Sequence, residues 1–194
     1  MKRDSQAPPG LGLYHLQLEL QRIDLRLQRA VERWKRAGQD PEDAFRGLYV
    51  SDEQAEALLA RPLGGNWGET VPLPDELDQS LNRREQQLAR KLEAIKREAD
   101  QHQSLLPLHH LQQAFALTAF DLETLLIALA PSLDLRYERI YGYLQDDVSK
   151  KHPTVNLVLD LLGQGGVGRL TWLARFKAKA PLIRHHLIEL HSPA

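Results

Sequence analysis

Glycine-rich spacing near the C-terminus offers the first candidate for chemistry. Gly163-Gln164-Gly165-Gly166-Val167-Gly168-Arg169-Leu170 has the G-x-x-x-x-G spacing of a phosphate-binding loop. Such a loop works because backbone N–H groups cradle phosphates, a Lys reaches the terminal phosphates and a Ser or Thr hydroxyl holds Mg²⁺. Here Arg169 stands in the Lys position and Leu170 in the hydroxyl position, and Leu cannot ligate Mg²⁺. The segment therefore reads as a turn between two helices. Histidine supplies the next candidates, as the adjacent pairs His109-His110 and His185-His186. Neighbouring side chains point about 100° apart on a helix and to opposite faces of a strand, so neither pair chelates alone. No H-E-x-x-H or H-x-x-E-H spacing occurs, and the histidines read as surface or half-buried groups. The carboxylates Asp146-Asp147 precede Lys150-Lys151 at an expected helix C-terminus, where the helix dipole disfavours them. An exposed turn is the reading there. No G-x-S-x-G elbow is present, and without cysteine there is no thiol nucleophile, disulfide or thiolate metal site. The expectation is a non-enzymatic chain with no catalytic, cofactor-binding or metal residue.

Nucleic acid is a stronger candidate. Arg169, Arg175, Lys177, Lys179 and Arg184 fall in a stretch, 161–188, that holds no acid. Such a run could touch phosphates. The short helix that should read bases, TVNLVLDLLG (154–163), has no Lys or Arg, carries Asp160, and offers only Asn156 to a base edge.

These groups must be held by helices. From Leu11 to Ala37, apolar residues at Leu13, Leu16, Leu20, Ile23, Leu27, Ala30 and Trp34 step by three and four. That is the seam of a packed helix. A second row, Leu11, Leu18 and Leu25, widens the stripe, and Gly38 is a natural stop. Next come Asp40-Pro41, a possible extended segment at Leu48–Val50, a short helix over 52–60 and a Pro/Gly-rich surface crossing from Arg61 to Pro74. A second long helix is expected from Asp75 to Ser104, with Leu81, Leu88 and Ile95 recurring every seven residues. It should pack antiparallel on the first, setting Leu20, Ile23 and Leu27 against Leu88, Leu92 and Ile95. Its charged flanks, including Arg83, Arg84, Lys91 and Glu93, remain for a partner. Beyond Pro107, helices are expected over 108–117, 120–130 (ended by Pro131) and 135–146. Another starts after Pro153 and stops at Gly163, one more covers 167–177, and a strand follows Pro181. The fold class is mainly α: a long-helix hairpin or bundle, then a small winged-helix-like domain. The division is a flexible tail (1–10), a helical hairpin subdomain (11–104) and a winged-helix-like subdomain (105–192).

Composition agrees. The 194 residues are 42% hydrophobic and 26% charged, with 25 basic and 26 acidic side chains and a net charge of −1. A nearly neutral chain lacks the overall pull of a dedicated nucleic-acid binder. No apolar run reaches the roughly 18–20 residues of a membrane span, and MKRDSQAPPG lacks the apolar core of a secretory signal. The expected location is the cytoplasm.

The block ALAPSLDLRYERIYGYLQDDVSKKHPTVNLVLDLL (128–162) resembles a signature of large bacterial AAA+ ATPases, including those encoded with contractile phage-tail-like injection systems. There it belongs to a winged-helix-like domain ahead of the ATPase module. DPEDAFRGLYVSDEQAEALL (40–59) and LQRIDLRLQRAVERW (20–34) are similar to the region upstream of it. The resemblance implies an accessory role: recognising a protein partner or substrate, or supporting assembly of an ATPase ring. Walker A and Walker B motifs are not in this sequence, so no catalytic residue of that family maps onto it, and ATP and Mg²⁺ would enter only through such a module. A DNA-binding winged-helix regulator and a coiled-coil scaffold are the alternatives.

Overall fold

The structure is a computed structural model that describes residues 10–36, 52–60, 71–163 and 167–191. The tail, the helix stop at Gly38, the segment 48–50, most of the 61–74 crossing and the Gln164–Gly166 turn lie outside them.

Helix α1 (Leu11–Arg36) is the central element. Arg33, Lys35 and Arg36 in its last turn complement its dipole. Its partner α3 (Asp75–Gln101) starts with Asp75, Glu76 and Asp78 and buries Leu81, Leu88, Leu92, Ile95 and Ala99. The short α2 (Asp52–Leu59) lies between them in sequence. The two long helices run antiparallel: Arg29, late in α1, reaches Glu85 at 2.8 Å and Asn82 at 2.6 Å, both early in α3.

The face of α1 that meets α3 differs from the expected one. Leu18 and Leu25, with Leu11, pack on the α3 stripe together with Leu73 and Leu106. Ile23, Leu27 and Trp34, joined by Leu16, Leu20, Ala30 and Val31, pack on the C-terminal helices instead. Residues two apart on a helix point about 200° apart. The two leucine rows are therefore opposite faces rather than one broad stripe. Ile23 is 0% exposed and Leu25 is 2% exposed, so α1 is buried on both sides. It crosses the expected boundary at 104/105 by contributing to both clusters.

The second cluster is built by α4 (Pro107–Ala114), α5 (Ala119–Leu133), α6 (Arg136–Leu144) and α7 (Val155–Leu162). Gly12 admits the start of α4: a Cβ there would lie 2.8 Å from Pro107 Cδ. Thr118 and Asp121 form a reciprocal capping box at the start of α5. Contrary to expectation, α5 does not stop before Pro131 but runs through it. A proline lacks the N–H that should reach the carbonyl four residues back. That carbonyl, on Ile127, accepts a 2.8 Å bond from the buried Tyr141 hydroxyl of α6. Tyr137, also on α6, donates to Asp24 of α1 at 2.7 Å, and Arg136 binds the same carboxylate at 2.9 Å. Burial and the Asp24 contact push the Tyr137 phenol up to about 12.

Residues 167–177 do not form one α-helix: α8 (Val167–Leu173) tightens into a 3-10 turn at Ala174–Phe176. The strand expected after Pro181 is instead α9 (Pro181–Arg184), and no strand occurs among the described residues. His186 adopts φ +54° and the Leu187 N–H returns to the Leu182 carbonyl at 2.9 Å, closing a helical end. Leu182 is fully buried and anchors the segment.

Candidate functional site

In a DNA-reading arrangement, α7 would face the bases. Thr154 caps it by accepting the Leu157 N–H, and Leu157, Val158, Leu159 and Leu161 are buried. That leaves Asn156 and Asp160, one turn apart, as its outward polar pair, joined at 3.0 Å. Arg169 of α8 closes on both. One guanidinium nitrogen lies 2.6 Å from Asp160, and the other bonds the Asn156 side-chain oxygen at 2.5 Å and its carbonyl at 3.2 Å. Burial raises the Asp160 pKa and Arg169 opposes the rise. The arginine in the phosphate-loop-like segment is thus an internal clamp. It occupies the groups that α7 could offer to a base edge.

A second basic residue of the acid-free stretch is also internal. Arg175 donates to the two Asp121 carboxylate oxygens from its Nε, at 3.0 Å, and from one terminal nitrogen, and docks the 3-10 turn on the α5 N-terminus. Burial raises the Asp121 pKa, but hydrogen bonds from Arg175 and Thr118 outweigh it and hold the carboxyl below its usual range. Phe120 stacks on Trp172 at 4.4 Å and meets Phe176 edge-on at 6.1 Å, completing this joint. Lys177, Lys179 and Arg184 remain exposed.

The histidine pairs stand apart in role. His109 meets Gln113 at 2.9 Å, the His185 ring lies 5.0 Å from Phe115, and His186 closes the turn after α9. Among the described residues, no three His, Asp or Glu side chains gather as metal ligands. Asp147 sits in an exposed turn. Its carboxylate accepts from the Ser149 N–H at 2.9 Å and hydroxyl at 2.6 Å, which lowers its pKa. Asp146 adopts φ +52° in the same turn.

A cavity of about 360 Å³ lies beside this turn, lined by Trp34, Gln145, Lys150, Thr154 and Asn156 among others. Several of its polar groups are engaged within the protein. Gln145 donates to the Lys150 and His152 carbonyls and accepts from the Thr154 N–H. The cavity wall is a braced loop rather than a set of open ligand groups.

Sequence reasoning missed an ionic cluster between α1 and α5. Glu123, 5% exposed, accepts from Arg22 and Arg26, each at 2.8 Å, and Arg22 also holds Glu19 at 2.9 Å. His15, buried one turn before Glu19, lies 3.7 Å from it, and burial lowers its pKa while Glu19 opposes the fall. The spacing Glu19/Arg22/Arg26 on one helix was the only local signal. Glu123 comes from 101 residues beyond Arg22. The cluster neutralises itself and fixes how α5 sits on α1.

A further charged surface lies on α3, which buries one apolar stripe and leaves Arg83, Arg84, Arg90, Lys91, Glu93 and Arg97 exposed. No described helix is long and apolar enough to cross a membrane. Against this geometry, a family model described as "Winged helix domain, variant" matches residues 10–194. No curated protein and no solved structure matches the chain.

Proposed function

We propose that this chain, which belongs to the winged helix domain, variant, family, is a non-catalytic accessory region of an AAA+ ATPase that recognises a protein partner or substrate, or supports ring assembly. The observation that carries the reading is the Arg169 clamp. The chain matches the family model, yet α7 has no Lys or Arg and its polar pair, Asn156 and Asp160, is held by Arg169. Base readout needs free donors and acceptors on the inserted helix. The AAA+ association is supported by the resemblance in 128–162, whose Tyr137 and Tyr141 hydroxyls and Pro131 interlock in the core. On this reading the chain needs no cofactor of its own, acts in the cytoplasm and gains oligomeric order through the ATPase ring.

The test is genetic and enzymatic. A Walker A and B module encoded in the same or an adjacent reading frame should hydrolyse ATP without residues 10–194 and lose only its partner-dependent stimulation. Absence of such a module from both frames, or loss of basal hydrolysis with this region, would contradict the proposal. A second reading, a DNA-binding winged helix, is favoured by exposed Lys177, Lys179 and Arg184 in a stretch without acids. It requires phosphate contacts at the C-terminal segment in place of base contacts at α7.

A further inference from the structure

We propose that the outward face of α3 is a docking surface for an acidic α-helix of a partner protein, one that presents carboxylates every seven residues. The inference rests on the protein-recognition reading above and gives the partner a chemistry. Arg83, Arg90 and Arg97 are all exposed and seven residues apart on one helix. Seven residues advance about 10.5 Å and rotate about 20° short of two full turns, so the three guanidinium groups form one nearly straight ridge. Gln86, Gln87, Ala94 and Gln101 are exposed beside them.

Three acids of α3 are engaged by residues other than these arginines. Glu85, the one carboxylate between Gln79 and Leu92, turns to Arg29 of α1. Glu93 pairs with Lys96 at 3.1 Å, and Asp78 accepts from Asn82. Arg83 and Arg90 have no ion pair among the described residues, and Arg97 bonds only the Glu93 backbone carbonyl, at 3.2 Å. At the end of the ridge a shallow hollow of about 470 Å³ is lined by Ala94, Arg97, Glu98, Gln101 and His102. The small Ala94 side chain leaves a recess where a partner side chain can seat.

The spacing selects the partner. A partner helix with Glu or Asp every seventh residue advances by the same ~10.5 Å and matches the ridge in register. Duplex phosphates recur about every 3.4 Å of axis on each strand. A step of ~10.5 Å spans about three of those repeats, but each strand winds through nearly a third of a turn over that distance, so one straight line of three cations neither follows a strand nor straddles two. A second copy of this chain fits no better, because an antiparallel pair centred on Arg90 would set Arg83 against Arg97.

The probe is a synthetic helical peptide of about four heptads with Glu at one position in each. A control has the same composition with the Glu positions scrambled. Both are titrated against the full chain by fluorescence anisotropy at about 50 mM salt, where exposed charges are weakly screened. The in-register peptide should bind at least about tenfold tighter than the control. Arg83→Gln/Arg90→Gln/Arg97→Gln should remove that preference without lowering the melting temperature. Arg83→Glu/Arg90→Glu/Arg97→Glu should instead prefer a peptide with Lys in place of Glu. Equal binding of the two peptides, retention of the preference by the Gln variant, or displacement of the peptide by an equal concentration of duplex DNA would overturn the proposal. No binding of either peptide by a chain that also ignores DNA would refute this face alone. Sequence-specific DNA binding that the Gln variant retains would refute the protein-recognition reading itself.

Discussion

Tyr141→Phe isolates one hydroxyl at the point where α5 passes through a proline. The Phe ring keeps the packing and removes the 2.8 Å donor to the Ile127 carbonyl. Tyr141 and Ile127 are both 0% exposed, so water cannot replace it without opening the core. Leaving a buried carbonyl unsatisfied costs about 1–3 kcal/mol. For a chain of this length that is a melting-temperature loss of about 2–4 °C per kcal/mol. Pro131→Ala supplies the missing amide N–H four residues after Ile127, so the carbonyl no longer depends on Tyr141. Urea unfolding of the wild type, both single variants and the double variant gives the coupling. Tyr141→Phe should cost at least about 1 kcal/mol less in the Pro131→Ala background, because a second donor is then available. An equal cost in both backgrounds would refute the role given to Tyr141 as substitute donor.

Three further outcomes follow from the packing. Leu27→Ala and Leu92→Ala lie in different clusters on opposite sides of α1; each should cost about 2–5 kcal/mol in urea unfolding and the pair should add within about 0.5, whereas coupling above about 1 would place them in one cluster. Asp121 has a folded pKa below its unfolded value of 3.8, so its share of stability is present above pH ~4 and lost as pH falls through the folded value. Asp121→Asn should lose about 1.5–3 kcal/mol at neutral pH, and its stability should fall less than the wild type's on acidification; parallel pH profiles would refute the Arg175 pairing. Arg169→Ala should destabilise through the stranded Asp160, and adding Asp160→Asn should recover part of the loss in thermal melts, since burial disfavours that charge. No recovery would mean that Arg169 acts elsewhere.

The helices were legible from their apolar periods, whereas the threonine caps at Thr118 and Thr154, whose hydroxyls accept from the turn that follows, were not read from the sequence. Ends were harder. Gln103, Ala116, Asp146 and His186 all adopt the left-handed conformation that closes a helix, and none is the glycine that announces such a stop. The last of these turned an apolar, β-branched stretch from a strand into a helical end. Pro131 misled for a related reason: its effect on α5 depends on a donor from α6, which no local pattern contains. The two rows of α1 were visible in the sequence, but whether they form one stripe or two faces depends on how many neighbours the helix has. The clamp of Arg169 on Asn156 and Asp160 was hidden by a glycine pattern that pointed to phosphate. Of the three arginines of α3, only Arg83 stood among the charged flanks named from the sequence; the ridge it forms with Arg90 and Arg97 emerged only once Glu85 and Glu93 had found partners.

The central claim is that α7 reads no base sequence and that the chain works through protein contacts. The most direct measurement is selection of the full chain against a random pool of duplex DNA, followed by fluorescence anisotropy at about 150 mM salt. The account predicts that no sequence is enriched and that binding stays within the non-specific range of about 10⁻⁴–10⁻⁶ M. An enriched sequence bound below micromolar, and weakened by Asn156→Ala, would contradict it.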